Sequence, residues 1–334
     1  MASRLLSLLL SFIILLSPPR TGNTTSSAQD YALSYSRISP MIADIFPEQY
    51  TDTALAIIDA FLNYESSVPA PTGCDRYLLM NTVGYILNCS CPPFSAFTDF
   101  HEIRSYDAAT QTIRWNYTVT REEHQKLLAD FENTVNDFLA EIRTDDNDVT
   151  KALLLYMALI EDGVYDYGLI GDEYAGLSEA EYSLRASSYY TLTEKSGICF
   201  GFTQALVFLY TQAGLESAMV SHSGGAGAHT WPIMKLDGKY YYCDPTWDLD
   251  DRPRHFGITA ADRASWAGGY APDGTRIMNL VVTEHYDVSS SRFEEFRSRI
   301  PVELTSVEVN RELNTMTFFG YEYQYTLYTL PAEE

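Results

Sequence analysis

Asp237-Gly238, set between apolar and aromatic arms in "GAHTWPIMKLDGKYYYCDPTWD", leaves this part of the chain few ways to fold. Asp-Gly suits a two-residue hairpin turn, whose central residues both take positive φ. A hairpin also sets register. With Leu236 opposite Lys239, the pairing carried outward puts His229 opposite Thr246 and Trp231 opposite Asp244. Side chains two residues apart share a strand face, so His229 and Asp244 become diagonal neighbours, about 7 to 8 Å apart at the backbone and closer between side chains. That is within reach of an aspartate-to-imidazole hydrogen bond. Cys243 falls on the opposite face, as a buried structural cysteine. Pro232 cannot donate to a ladder, so it predicts an edge position or a bulge.

A partner for the imidazole lies upstream, in "TEKSGICFGFTQALVFLYTQAG". Phe202, Leu206, Leu209 and Tyr210 define one helix face, Ser196 or Gly197 serves as N-cap, and Gly214 ends the helix. Cys199 therefore sits in the first turn, where unpaired backbone N–H groups and the positive end of the helix dipole favour the thiolate. Gly197 and Gly201 leave room for a substrate. Together these residues predict nucleophilic catalysis. Cys199 attacks a carbonyl, with its own N–H as one oxyanion donor; His229 takes and returns the proton; Asp244 holds the imidazole's tautomer.

The blocks "SGICFGFTQAL", "AHTWPIM" and "DGKYYYCDPTWD" resemble the three signature blocks of the transglutaminase-like superfamily, in its secreted bacterial branch. "VYDYG", "SSYYTL" and "RHFGIT" fit the same pattern, and the resemblance spans roughly residues 150 to 265. It implies an α+β, papain-like fold in which a cysteine-bearing helix packs on an antiparallel sheet carrying histidine and aspartate. It also implies Cys199, His229 and Asp244 as nucleophile, base and orienting acid, Tyr189 and Trp231 in the substrate and oxyanion region, and no cofactor. The chain departs from the family at Pro232, where asparagine is common after His-x-Trp, and shows no upstream glutamine or tryptophan completing an oxyanion hole.

Other chemistries are weaker. Zinc binding by His222, His229, Cys243 and Asp244 conflicts with the facing of Cys243 and lacks a close-set ligand pair, so no metal is expected. Asp248, Asp250 and Asp251 could form a calcium loop, but without an EF-hand's glycine and distal glutamate they read as a solvated acidic turn. "SHSGGAGAH" lacks the lysine of a phosphate loop and reads as a mobile loop leading into His229. No GxSxG elbow is present. The expected function is amide hydrolysis or acyl transfer on a protein, peptide or cell-wall amide. The rival is an extracellular binding or adhesion module that keeps the fold without turnover. The sequence leaves oligomeric state open.

With 334 residues, 46% hydrophobic and 20% charged, the chain can bury a large core, while its formal charge of −23 disfavours nucleic acid as a partner. Residues 1–28 read as a secretory signal: Arg4, an apolar-and-serine run from Leu5 to Leu16 too short to span a bilayer comfortably, then Pro18 and Pro19. A secreted or cell-surface protein follows, with no later membrane span. No cysteine precedes Cys74, so no lipid-anchor cysteine follows the signal. Export and crowding predict a bridge from Cys74 to Cys89 or Cys91, with Cys199 and Cys243 unpaired.

An N-terminal accessory region is expected at 29–144, with a helix near 52–64, irregular and β-like structure from 66 to 120, a strand near 111–118, and a helix capped by Thr120 and Glu123 running to about Ile142. A catalytic domain follows at 145–300, opening on a second helix in "VTKALLLYMALIEDGV". The tail, 301–334, alternates at period two and predicts a hairpin or sheet edge, with Tyr321, Tyr323 and Tyr325 on one face.

Overall fold

A computed structural model describes residues 31–101, 104–170, 176–222, 228–266 and 274–331. The signal-like leader and most of the glycine-rich loop before His229 lie outside the described residues. No helix among the described residues is long and apolar enough to cross a membrane.

At the centre is a six-stranded antiparallel sheet in the order Leu280–Val281, Arg276–Ile277, Ser217–His222, His229–Leu236, Lys239–Cys243, Phe256–Ile258. The predicted hairpin joins two of these strands, with Leu236 opposite Lys239 and Ile233 opposite Tyr242. Asp237 and Gly238 take φ of 49° and 74°, the doubly positive turn that Asp-Gly favours. Arg292 pairs with Asp237 and anchors the turn.

Pro232 lies on an interior strand rather than an edge. The ladder between the hairpin arms ends at Ile233 and Tyr242, one residue short of it, and a register shift falls between Tyr242 and Cys243. The sheet thus accommodates the missing donor by letting the arms separate. Beyond that point the histidine strand pairs with Ser217–His222, placing Trp231 opposite Val220 and His229 opposite His222.

The cysteine helix, Cys199–Gln212, crosses this sheet and is buried on every side from Gly201 to Gln212. The single apolar face read from its spacing is too narrow. Sheet covers one side, and the helices Arg76–Ser90, Arg121–Leu139, Asp148–Ile160 and Ser188–Glu194 cover the others, so polar residues such as Thr203 and Gln204 are interior as well. A helix enclosed in this way is the core element of its domain.

Two of those covering helices were legible. Arg121–Leu139 opens on the predicted Thr120–Glu123 capping box, and Asp148–Ile160 follows a side-chain cap from Asn147 to the Thr150 N–H, at 3.0 Å. The first predicted helix is Glu48–Leu62. Residues 66–120 depart from expectation: Arg76–Ser90 and Pro92–Phe97 are helices, and only short strands, including Thr112–Arg114, remain. Asp75 caps the first through the Leu78 N–H at 2.8 Å, and Leu79, Met80, Val83, Ile86 and Leu87 form its buried stripe. One buried cluster joins residues on both sides of position 145, from Tyr35 to Leu327.

The expected bridge from Cys74 is absent, and all five cysteines are free. The 15-residue helix Arg76–Ser90 stands between Cys74 and Cys91, and at about 1.5 Å per residue it holds Cys89 and Cys91 far beyond disulfide reach. Cys89 and Cys91 are fully buried, as is Cys243.

In the tail, Leu304–Asn310, Thr315–Gly320 and Gln324–Tyr328 form an antiparallel sheet. Its Phe318 packs on Phe296 at 5.1 Å. The three tyrosines do not share a face. Tyr321 and Tyr323 lie between strands and are exposed, while Tyr325 is a strand residue against Phe296.

Gly197 and Gly201 prove to be packing residues rather than substrate clearance. A Cβ on Gly201 would press on Thr191 Oγ1 and lie 3.1 Å from the Ala186 carbonyl oxygen and 3.3 Å from that of Ser187. The glycine lets the short helix Ser188–Glu194 lie close against the cysteine helix. Gly201→Ala is expected to lose about 1–2 kcal/mol by urea denaturation, overpacking outweighing the helix propensity gained. An unchanged or raised midpoint would contradict this close packing.

Candidate active site

Cys199 is the first residue of its helix, and the N-cap is Ile198, with no side-chain cap, rather than Ser196 or Gly197. An uncapped first turn leaves backbone N–H groups directed outward. The thiol is partly buried and meets the His229 side chain together with the backbone N–H and side chain of Thr230. Burial opposes ionisation of Cys199, but hydrogen bonding to His229, its positive charge and the Thr230 N–H hold the thiol below its ordinary pKa.

His229 begins its strand, with a side chain 21% exposed. Its Nε2 lies 2.7 Å from Asp244 Oδ2, which leaves Nδ1 for the thiol. Burial pushes the imidazole down, yet the hydrogen bonds to Asp244 and Cys199 and their charges lift it to about 9. Both shifts favour the thiolate and imidazolium over the neutral pair.

Asp244 follows the second hairpin strand and is fully buried. Its Oδ1 accepts from Thr246 Oγ1 at 2.6 Å, and Arg263 Nη2 lies 3.8 Å from Oδ2. The structure therefore brings all three predicted residues together, in the order Cys199, His229, Asp244. Cys243 packs towards Tyr210 on the cysteine helix, on the face opposite Asp244, where burial pushes its thiol well up.

Two residues missed in the sequence complete the surroundings of the imidazole. Trp247 stacks on His229, with ring centres 5.7 Å apart and planes 13° apart, and Trp231 lies on it at 5.8 Å. Arg263, from the helix Ala260–Trp266, is held between the two indoles, 4.1 Å from the Trp231 centroid and 4.0 Å from that of Trp247. A desolvated guanidinium between indole faces gains on the order of 2 kcal/mol. Trp231, expected in the substrate region, is instead buried, with 2% of its surface exposed.

The turn carrying Trp247 is tied down by Asp248. The expected solvated acidic turn is only partly solvated: Asp250 and Asp251 are exposed, whereas Asp248 is fully buried. Asp248 Oδ2 accepts from the Tyr156 hydroxyl at 2.7 Å and from the His255 N–H at 2.7 Å, and Oδ1 lies 2.6 Å from His255 Nδ1. His255 in turn meets the Trp247 ring edge-on at 5.1 Å. No group of three or more metal-ligating side chains is gathered among the described residues.

Cys199 and His229 open onto a cleft of about 1460 Å³. One wall comes from the helices Glu179–Ala186 and Ser188–Glu194, the other from Phe97, Phe100 and Trp115 of the N-terminal region. Tyr189 lines the cleft, with its ring held by Phe97 at 4.8 Å and Phe131 at 5.3 Å. The tyrosine against the nucleophile is another one, Tyr165, whose hydroxyl meets both the backbone N–H and the thiol of Cys199.

No protein-family model matches the chain, and no curated protein matches it. Among solved structures it is similar to a TGase, with 15% identity and a TM-score of 0.31 over 39% of this chain and 34% of that one. It is also similar to a candidate cysteine protease from Cytophaga hutchinsonii, with 12% identity and a TM-score of 0.26 over 42% of this chain and 45% of that one. The chain thus matches less than half the length of either structure. The chain's own arrangement is α+β, with a cysteine-bearing helix against an antiparallel sheet that carries histidine and leads into aspartate.

Proposed function

We propose that the chain is a cysteine acyl-transfer enzyme acting on amide bonds of proteins, peptides or cell-wall material. The observation that carries this reading is that the Cys199 thiol and the Asp244 carboxylate engage one imidazole from opposite sides. The thiolate attacks the amide carbonyl. Its sulfur bonds to the carbonyl carbon, the C–N bond breaks, and His229 gives its proton to the leaving amine. Water or an incoming amine, deprotonated by His229, then attacks the thioester and restores the thiol. Asp244 keeps the ring oriented and stabilises its positive charge. The leader-like N-terminus supports export, and the chemistry does not depend on it.

A peptidyl ester incubated with the protein near neutral pH and quenched in acid tests this. Mass spectrometry is expected to find the acyl group on the peptide containing Cys199, and not in Cys199→Ala. A fluorescent primary amine added before quenching separates transfer, in which it is incorporated, from hydrolysis, in which it is not. No adduct and no product with wild-type protein would leave the binding-module reading in its place.

A further inference from the structure

Tyr165 stands at the point where the acyl-transfer chemistry lacks a group. Cys199 contributes one backbone N–H to an oxyanion, and neither Tyr189 nor Trp231 supplies a partner: Tyr189 is held by Phe97 and Phe131, and Trp231 is buried beside His229. Tyr165 arrives by a short parallel pairing in which Val164 opposes Ser196 and Tyr165 opposes Gly197, two residues before the nucleophile. The Asp166 N–H donates to the Gly197 carbonyl at 2.8 Å, and the Arg185 guanidinium clamps the Asp166 carboxylate, with Nη2 2.7 Å from Oδ1 and Nε 3.0 Å from Oδ2. The backbone carrying Tyr165 is therefore fixed on both sides. Its side chain and Cys199 both line the cleft, and the hydroxyl interacts with the Cys199 backbone and thiol.

Resting on the acyl-transfer reading above, we infer that Tyr165 is a catalytic residue: its hydroxyl is the second donor to the oxyanion formed when Cys199 attacks a carbonyl. In the free protein the Tyr165 hydroxyl lies beside the start of the cysteine helix, close to where a substrate carbonyl must sit. When the sulfur–carbon bond forms, the carbonyl π pair moves onto oxygen. That oxygen accepts the Cys199 N–H, and the Tyr165 hydroxyl turns its hydrogen to the same atom. No proton leaves the tyrosine. Burial first, and then the neighbouring Cys199, push the phenol up to about 12, so it remains a donor over the range in which the thiolate forms. The uncapped start of the cysteine helix fits this role, because a side-chain cap would compete for the same turn.

The test compares two reactions of the same sulfur. Acylation by a p-nitrophenyl ester passes through an oxyanion, whereas alkylation by iodoacetamide does not. In Tyr165→Phe the acylation rate constant is expected to fall on the order of a hundredfold, the usual effect of losing one oxyanion donor, with the alkylation rate falling far less, by no more than the loss of one contact to the sulfur. Tyr165→Gln, which restores an N–H donor, is expected to recover part of the loss. If the Phe variant does not fold, the ratio of acylation to alkylation in Tyr165→Leu, which also lacks a donor, is compared with wild type, and a ratio at the wild-type value or above it overturns the assignment. Equal falls in both rates would overturn it by placing Tyr165 on the thiolate, and unchanged or faster acylation would overturn it by showing that the hydroxyl gives the oxyanion nothing. Wild-type protein that is alkylated at Cys199 but never acylated there would overturn the acyl-transfer reading and this inference with it.

Discussion

His229→Ala is expected to slow alkylation of Cys199 by iodoacetamide at about pH 6 by on the order of a hundredfold, two units of thiol pKa. Two opposed effects set the state of this sulfur. Burial disfavours the thiolate, while the His229 hydrogen bond and charge, aided by the Thr230 N–H, more than offset it. Removing the imidazole leaves burial with weaker opposition, so the thiol shifts upward and the rate of the variant rises only at alkaline pH. Cys89 and Cys91 serve as internal references, since both are fully buried and burial raises their thiols. Wild-type acyl transfer is expected to rise through the lowered Cys199 pKa, as the thiolate forms, and to fall near pH 9, as His229 loses the proton it must give to the amine. Equal alkylation of wild type and variant, with an ordinary thiol profile in both, would mean that the imidazole does nothing for the sulfur.

What could be read from the sequence was local. The Asp-Gly turn set a register that held as far as Tyr242, and parity alone put His229 and Asp244 on one face and Cys243 on the other. The placement of Cys199 in the first helical turn needed only spacing and a terminal glycine. What escaped was non-local or ambiguous. Arg263 reaches Asp244 from 19 residues downstream in a seven-residue helix, and nothing in its neighbourhood marks it. Trp247 stood in view in "DPTWD", but its stacking depends on a turn fixed by Asp248, Tyr156 and His255. Tyr165 belonged to a block noted for its resemblance, while its approach to Cys199 comes from a two-residue parallel pairing too short to leave a pattern. The helix Arg76–Ser90 had a legible stripe and cap, yet cysteines at either end drew attention to a bridge that the helix itself forbids.

Asp244→Asn separates chemistry from stability at this site, because the carboxylate serves two cations. The substitution keeps the volume and removes the charge. Burial alone pushes His229 down, and Asp244 is the strongest of the groups that raise it, so in the variant the imidazole is expected to move from about 9 towards or below its ordinary value. The thiolate–imidazolium pair then dissolves at neutral pH, and acyl transfer is expected to fall by roughly a thousandfold or more, as when other triads lose this carboxylate. The folded state also suffers. The Arg263 side chain is 7% exposed, and without Asp244 its charge keeps the two indoles but loses its nearby carboxylate, at a cost on the order of 3 kcal/mol. A second substitution, Arg263→Met, is expected to recover much of that stability without restoring acyl transfer. The sign of the pH dependence follows the imidazole. A folded-state pKa raised above the unfolded one contributes stability that is complete below about pH 6.5 and is lost as pH rises through the folded value, whereas the lowered Cys199 thiol contributes the opposite trend. In a Cys199→Ala background the protein with Asp244 should therefore show the decline and Asp244→Asn should not. Thermal unfolding from pH 6 to 10 reads it directly, and an Asp244→Asn substitution that keeps both the decline in that background and the alkaline limb of activity with Cys199 in place would show that the aspartate does not hold the proton on His229.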